Sequence, residues 1–118
     1  MSLFPDSIGL YTDYYELTMA SGYFRFGRHE EQAVFDYFFR TNPFENGFTV
    51  FAGLRDLLEF VQHFRFSEED LYFLQEQGFP KDFLDYLSGF SFTGKIESVE
   101  EGEIVFPGTP LLKVSGNL

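Results

Sequence analysis

Apolar and polar positions alternate along this chain in stretches that switch between a helical period and a two-residue period. In "TDYYELTMASGYFRF" the residues Leu17, Ala20, Ser21 and Phe24 recur at helical spacing, so a helix is predicted to run to about Phe26. Asp13 stands where an N-cap belongs, with Glu16 three residues on in the manner of a capping box, and Gly27 supplies the stop. "QAVFDYFFR", residues 32–40, is crowded with aromatic and branched side chains and predicts a strand. Val34, Asp36, Phe38 and Arg40 would share one face; Ala33, Phe35, Tyr37 and Phe39 would share the other. Because both faces are largely apolar, the strand is expected in the middle of a sheet.

The turn-rich "TNPFENG" follows, then "FTVFAGL", read as a second strand running into a helix. In that helix Leu54, Leu57, Leu58 and Val61 keep the i, i+3, i+4, i+7 spacing. Ser67 is positioned to cap a third helix that turns Leu71 and Leu74 inward and ends at Gly78. Pro80 opens a fourth, with Phe83, Leu84 and Leu87 as its apolar face and Gly89 as its end. From Phe92 onward helical periodicity disappears, and short strands with Gly and Pro turns predict a small β-layer or partial barrel. The order is that of a single α+β domain over 1–118, with helices packed on a small mixed sheet. A helix-and-strand part covers about residues 8–90 and a β-rich part about 91–118. The strand in "VSGNL" has no clear finish, so the domain is expected to be the front of a longer polypeptide, and Met1–Ser2–Leu3 reads as an added leader.

Composition adds two constraints. The 118 residues include 18 Phe and 7 Tyr, more rings than one small core hides, so part of the surface is expected to lie under a partner subunit or a further piece of the protein. The formal net charge of -11 comes from 19 acids against 8 bases; it argues against binding a nucleic-acid backbone or an anionic membrane. Cysteine is absent, which excludes disulfides, thiol catalysis and cysteine-held metals and fits a cytoplasmic protein. No charged start followed by an apolar run marks a secretory signal, and no apolar run approaches the ~20 residues of a membrane span.

Candidate chemistry is sparse. No glycine loop matches the phosphate or dinucleotide fingerprints, and no serine sits in a nucleophile motif. His29 and His63 lack metal-ligand spacing and read as exposed residues at helix ends. The acid run in "FSEED" falls at a helix start, where the macrodipole favours it without any metal. Three residues remain. Asp13 and Tyr15 lie at a helix N-terminus, where free N–H groups can face a cleft; the plainer reading makes Asp13 a cap and Tyr14 and Tyr15 core. Arg40 ends an apolar strand, and its charge must face solvent or an anion. Asp36 shares its strand face but is ~13 Å away along the strand, too far to pair.

Four stretches, "YTDYYELTMASGYF", "AVFDYFFRTNPFENGFTVFAGLRDLLEF", "FRFSEEDLYFL" and "FLDYLSGFSFTGKIESVEEGEIVFPGTPLLKVSG", in this order, closely resemble the N-terminal part of nicotinate phosphoribosyltransferases. The resemblance runs from about Ile8 to Leu118. It implies the N-terminal α+β domain of a type II phosphoribosyltransferase. The complete enzyme would form nicotinate mononucleotide and pyrophosphate from nicotinate and 5-phosphoribosyl 1-diphosphate, with ATP hydrolysis and Mg2+, in NAD synthesis. It implies a homodimer in which this domain lies over the barrel mouth of the other subunit. Thr12, Asp13 and Tyr15 match the family's "TD-x-Y" opening. By that match Tyr15 would stack on the pyridine ring across the dimer interface, and Asp13 would orient the helix end. Tyr14 is left for the core or a lid. Arg40 matches an arginine near the diphosphate of the sugar donor. The barrel, the phosphorylated histidine and the ribose-phosphate loop have no counterpart in these 118 residues, so no catalytic residue is assigned and the chain alone is expected to be inert.

Other readings stand beside this one. A sibling enzyme acting on nicotinamide or quinolinate would share the fold; two carboxylates on quinolinate would ask for extra bases in the pocket, most of which lies outside this segment with its 8 bases. A non-catalytic binding or regulatory module is the alternative of a different class. The tail loosely resembles the carrier domains that hold biotin or lipoate, but "EGEIVFPGTP" has no lysine at the hairpin, Lys95 and Lys113 only flanking it. A truncated homologue that pairs with a full-length enzyme is the third.

Overall fold

The computed structural model describes residues 8–118; the readings of Met1–Leu3 as a leader and of the extreme N-terminus as lacking a secretory signal lie outside the described residues. The elements follow in the order α1 (Tyr14–Arg25), β1 (Gln32–Tyr37), a 3-10 turn (Pro43–Glu45), β2 (Thr49–Val50), α2 (Leu54–His63), α3 (Glu68–Glu76), α4 (Lys81–Ser88), β3 (Lys95–Ser98), β4 (Ile104–Val105) and β5 (Leu112–Asn117). The fold is α+β, as its pattern predicts.

Two apolar clusters hold it. The first joins Leu17 of α1, Leu74 of α3, and Phe83, Leu84 and Leu87 of α4, with Ala20, Phe24 and Leu71 packed on the rim. Leu74 and Phe83 are its centre, at 0% and 1% exposure. The helical-spacing residues Leu17, Ala20, Phe24, Leu71, Leu74, Phe83, Leu84 and Leu87 therefore do point inward, whereas Leu58 of α2 stays 40% exposed. The α3–α4 corner depends on Gly78, whose φ of +90° lies in the left-handed region that glycine enters without a Cβ clash. Ser67 and Asp70 close α3 with a reciprocal capping box: the Asp70 N–H donates to the Ser67 hydroxyl at 3.1 Å and the Ser67 N–H to the Asp70 carboxylate at 2.8 Å.

The second cluster joins Phe51, Val105, Leu111 and Leu112, with Phe39, Leu54, Leu57, Ile96 and Val99 around them. Here the structure corrects three expectations. Both sheets are antiparallel, so the sheet is not mixed. The order of the larger one is β1-β5-β3, which places β1 at an edge and β5 in the centre. The C-terminal strands thus complete a sheet with β1 and make no separate layer or barrel; only β2 and β4 pair apart from it. The reason lies in register. Phe35 stands opposite Val114, which stands opposite Ile96; Tyr37 stands opposite Leu112. On the other face Asp36 and Glu97 both stand opposite Lys113, a charge match across three strands. Long-range pairing of this kind leaves no trace in the local pattern of β1.

The apolar face so built is only partly covered. Phe35 and Tyr37 remain 62% and 57% exposed, and a cleft of about 490 Å³ between this face and α2 is lined by Leu54, Leu57, Val61, Ile96 and Val114 among others. The double-faced apolar character of β1 therefore reflects exposure, not a central place. The radius of gyration is 16.5 Å against ~13.5 Å for a compact domain of this length, in line with two clusters side by side.

Two outcomes are expected. Ser67→Ala should cost ~1 kcal/mol in chemical denaturation, by loss of the cap, whereas Phe83→Ala should cost ~3–5 kcal/mol, by opening a cavity at the centre of the helical cluster. The isolated chain should self-associate as its concentration rises, because apolar faces are bare; sedimentation velocity showing a monomer at all concentrations would contradict this.

Candidate functional site

Asp13 occupies the N-cap position of α1 with extended backbone, and its carbonyl accepts the Glu16 N–H at 3.1 Å. Its side chain makes no capping bond, so the capping box predicted for Asp13 and Glu16 does not form. Instead its carboxylate is turned to solvent, beside a recess of about 600 Å³ lined by Leu10, Tyr11, Thr12, Asp13 and Glu16.

Three tyrosines are displayed at this helix start: Tyr11, Tyr14 and Tyr15, at 86%, 53% and 58% exposure. Tyr15 is not core. Glu16 first and Asp13 second surround its hydroxyl with negative charge and hold the phenol above its ordinary pKa, so it stays neutral through the physiological range. Its carbonyl accepts the Thr18 hydroxyl at 2.8 Å. Tyr14 differs: its ring meets Phe79 edge-on, with centroids 5.8 Å apart and an interplanar angle of 69°. It is attached to the helical cluster at its margin.

Arg40 lies in a bend beyond the end of β1, not in the strand, because pairing with β5 ends at Tyr37. The backbone on each side is nonetheless fixed. The Gly108 N–H donates to the Phe39 carbonyl at 2.9 Å and the Leu111 N–H to the Tyr37 carbonyl at 2.8 Å. After the bend, the Thr49 hydroxyl donates to Asn42 Oδ1 at 3.0 Å. The side chain itself is exposed and has no hydrogen-bond or ion-pair partner among the described residues. A guanidinium on a pinned backbone with its donors free is suited to an anion brought from elsewhere.

Asp13 and Tyr15 are thus brought together, and Arg40 is not. Asp13 and Tyr15 belong to the end of α1, held by the helical cluster; Phe39, next to Arg40, packs into the strand cluster. Of the two histidines, one matches its expected exposure at a helix end and one needs correction. His63 is exposed at the end of α2, where its Nδ1 lies 2.9 Å from the Glu59 carbonyl. His29 is not exposed: its ring sits 4.9 Å from Phe24 and 5.2 Å from Tyr86, with Nδ1 buried and unpartnered. Among the described residues no group of three or more His, Asp or Glu side chains is placed to hold a metal ion. Nor is any helix among them long and apolar enough to cross a membrane.

Sequence reasoning passed over Phe79. It stands just before Pro80, the N-cap of α4, and its ring meets Phe83 in the first turn of that helix, with centroids 6.0 Å apart; the run "GFPKDF" carries both rings.

Comparison with known proteins gives this geometry a family. Residues 10–118 match the model of the nicotinate phosphoribosyltransferase (NAPRTase) N-terminal domain. The chain is 48% identical over 115 residues to nicotinate phosphoribosyltransferase of Caenorhabditis elegans, covering 92% of this chain and 20% of that protein. It is 47% identical over 114 residues to the enzyme of that name from Bacillus subtilis, covering 96% of this chain and 23% of that protein. The crystal structure of human nicotinic acid phosphoribosyltransferase superposes with a TM-score of 0.80 at 39% identity, over 90% of this chain and 22% of the human one. The chain therefore spans about a fifth of the length of these relatives. With its helices, its antiparallel sheet and nearly all of its length accounted for by that match, the chain belongs to the nicotinate phosphoribosyltransferase family and corresponds to its N-terminal domain.

Proposed function

We propose that this chain serves as the N-terminal domain of an enzyme that joins nicotinate to the ribose of 5-phosphoribosyl 1-diphosphate. The products are nicotinate mononucleotide and pyrophosphate, with ATP hydrolysis coupled to the transfer and NAD synthesis as the destination. The observation that carries the reading is the family match over residues 10–118. The complete enzyme is a cytoplasmic homodimer in this reading, and the 118 residues alone are inactive.

In the assembled site Tyr15 offers its neutral ring to the pyridine. Stacking suits a flat heteroaromatic acid and is worth ~0.5–1.5 kcal/mol beyond the area it buries. Asp13 and Glu16 decide the orientation of that ligand. Two carboxylates beside the Tyr15 hydroxyl repel a third, so the nicotinate carboxylate must point away from α1, toward cations contributed by the rest of the enzyme. Asp13, freed from capping, keeps this end of the helix acidic. Arg40, on its pinned bend, binds the diphosphate of the sugar donor by two N–H groups at once. Tyr15 and Arg40 sit on parts of the fold held by different clusters, which accords with an arrangement in which one domain serves two subunits' sites. In this reading ATP and Mg2+ are held by the remainder of the enzyme.

Two substitutions in the full-length protein test this. Tyr15→Ala should raise the nicotinate dissociation constant ~10-fold while the melting temperature stays close to that of the parent, since Tyr15 is exposed. A collapse in melting temperature with normal affinity would make Tyr15 structural. Arg40→Ala should raise KM for the sugar donor and leave KM for nicotinate alone; an unchanged donor KM would remove Arg40 from the site.

A further inference from the structure

The start of α1 must hold Tyr15 in one direction, yet it lacks the usual means. Asp13 gives no side-chain cap, although its carbonyl accepts the Glu16 N–H at 3.1 Å. Uncapped helix ends fray, and a frayed turn swings every side chain on it. The buried anchor of α1, Leu17, comes only after the two tyrosines.

What does touch the first turn is Phe79. Tyr14 meets it edge-on at 5.8 Å, and Phe79 rests in turn on Phe83, 6.0 Å away and 1% exposed. Phe79 is itself fixed from behind. Its N–H donates to the Leu74 carbonyl at 3.2 Å, and Leu74 is wholly buried. The Gly78 turn before it and Pro80 after it leave its backbone little freedom. It is a rigid abutment, and Tyr14 is the only ring of α1's first turn that leans on it. Successive helix residues are set ~100° apart around the axis, so holding Tyr14 against Phe79 also sets the direction of Tyr15.

We propose that Tyr14 and Phe79 are positioning residues for the aromatic ligand: their edge-to-face contact replaces the missing cap and aims Tyr15. The inference rests on the stacking role proposed for Tyr15. Tyr14 is half exposed, so the contact adds little to global stability, and its loss is felt in ligand binding first.

The test uses the full-length protein and three variants. Phe79→Leu keeps apolar bulk but removes the ring. It should raise KM for nicotinate about three- to ten-fold, the range expected for an aromatic pair, with KM for the sugar donor little changed. Phe79→Tyr, which keeps the ring, should restore it. Tyr14→Leu should match Phe79→Leu, and the double variant should be no worse than either single one, as the two share one contact. An unchanged nicotinate KM in Phe79→Leu overturns the proposal. So does a fall in melting temperature that moves both KM values and is not rescued by tyrosine, since that marks a purely structural residue. Tyr15→Ala separates the two levels: if it weakens nicotinate binding and Phe79→Leu does not, the positioning role alone fails; if Tyr15→Ala is silent, the stacking reading fails and takes this one with it.

Discussion

A chain of aromatic rings holds this fold together. From Tyr14 it passes to Phe79 (5.8 Å), Phe83 (6.0 Å), Tyr86 (6.4 Å), Phe90 (6.1 Å), Phe64 (5.9 Å) and Phe60 (5.6 Å), crossing from α1 through α4 to α2. Phe24, Phe66 and His29 lean on it from the sides. The constraint behind it is simple. Among the described residues the buried core is nine hydrophobic side chains divided between two clusters, and no disulfide can bind them. Leu54 and Leu57 fasten the front of α2 to the strand cluster, while Phe60 at its rear and Phe64 just beyond tie it to the end of α4. Rings are large enough to span such a gap and prefer edge contacts that tolerate a curved path. His29 belongs to this chain, and its ring is covered by these contacts although Nδ1 meets no hydrogen-bond partner among the described residues.

The same abundance of rings accounts for the surface. Some aromatics build the internal chain; others, such as Phe35, Tyr37, Phe44 and Phe106, are left more than half exposed. In a domain that is a fifth of its relatives' length, exposed rings have a natural use as contact surface. The net charge of -11 and the polar sheet face, with Asp36 and Glu97 flanking Lys113, keep the remainder hydrated.

For function the division into two clusters matters more than either cluster alone. An acidic, tyrosine-bearing helix start and an arginine on a pinned bend are held at separate places, and each has its reactive groups turned outward. In the proposed reading each is part of a recognition site, one matched in chemistry to a flat ring and the other to an anion, with the facing groups supplied by the rest of the enzyme.

Helix positions were legible in the sequence because caps, glycine stops and apolar spacing act over a few residues: Ser67, Gly78, Pro80 and Gly89 mark real boundaries, and Leu74, Phe83 and Leu87 are buried as their spacing requires. The order of motifs was enough to identify the family. It also singled out Asp13, Tyr15 and Arg40, although it could not say how they are held. Sheet order, the edge place of β1, the early end of that strand before Arg40, the covered ring of His29 and the abutment of Tyr14 on Phe79 were decided only by tertiary structure. Each depends on partners distant in sequence. β1 finds β5 about eighty residues later, and Tyr14 meets a ring from the α3–α4 corner. Local pattern records how a segment prefers to fold, whereas which of its faces is covered depends on what the rest of the chain brings against it.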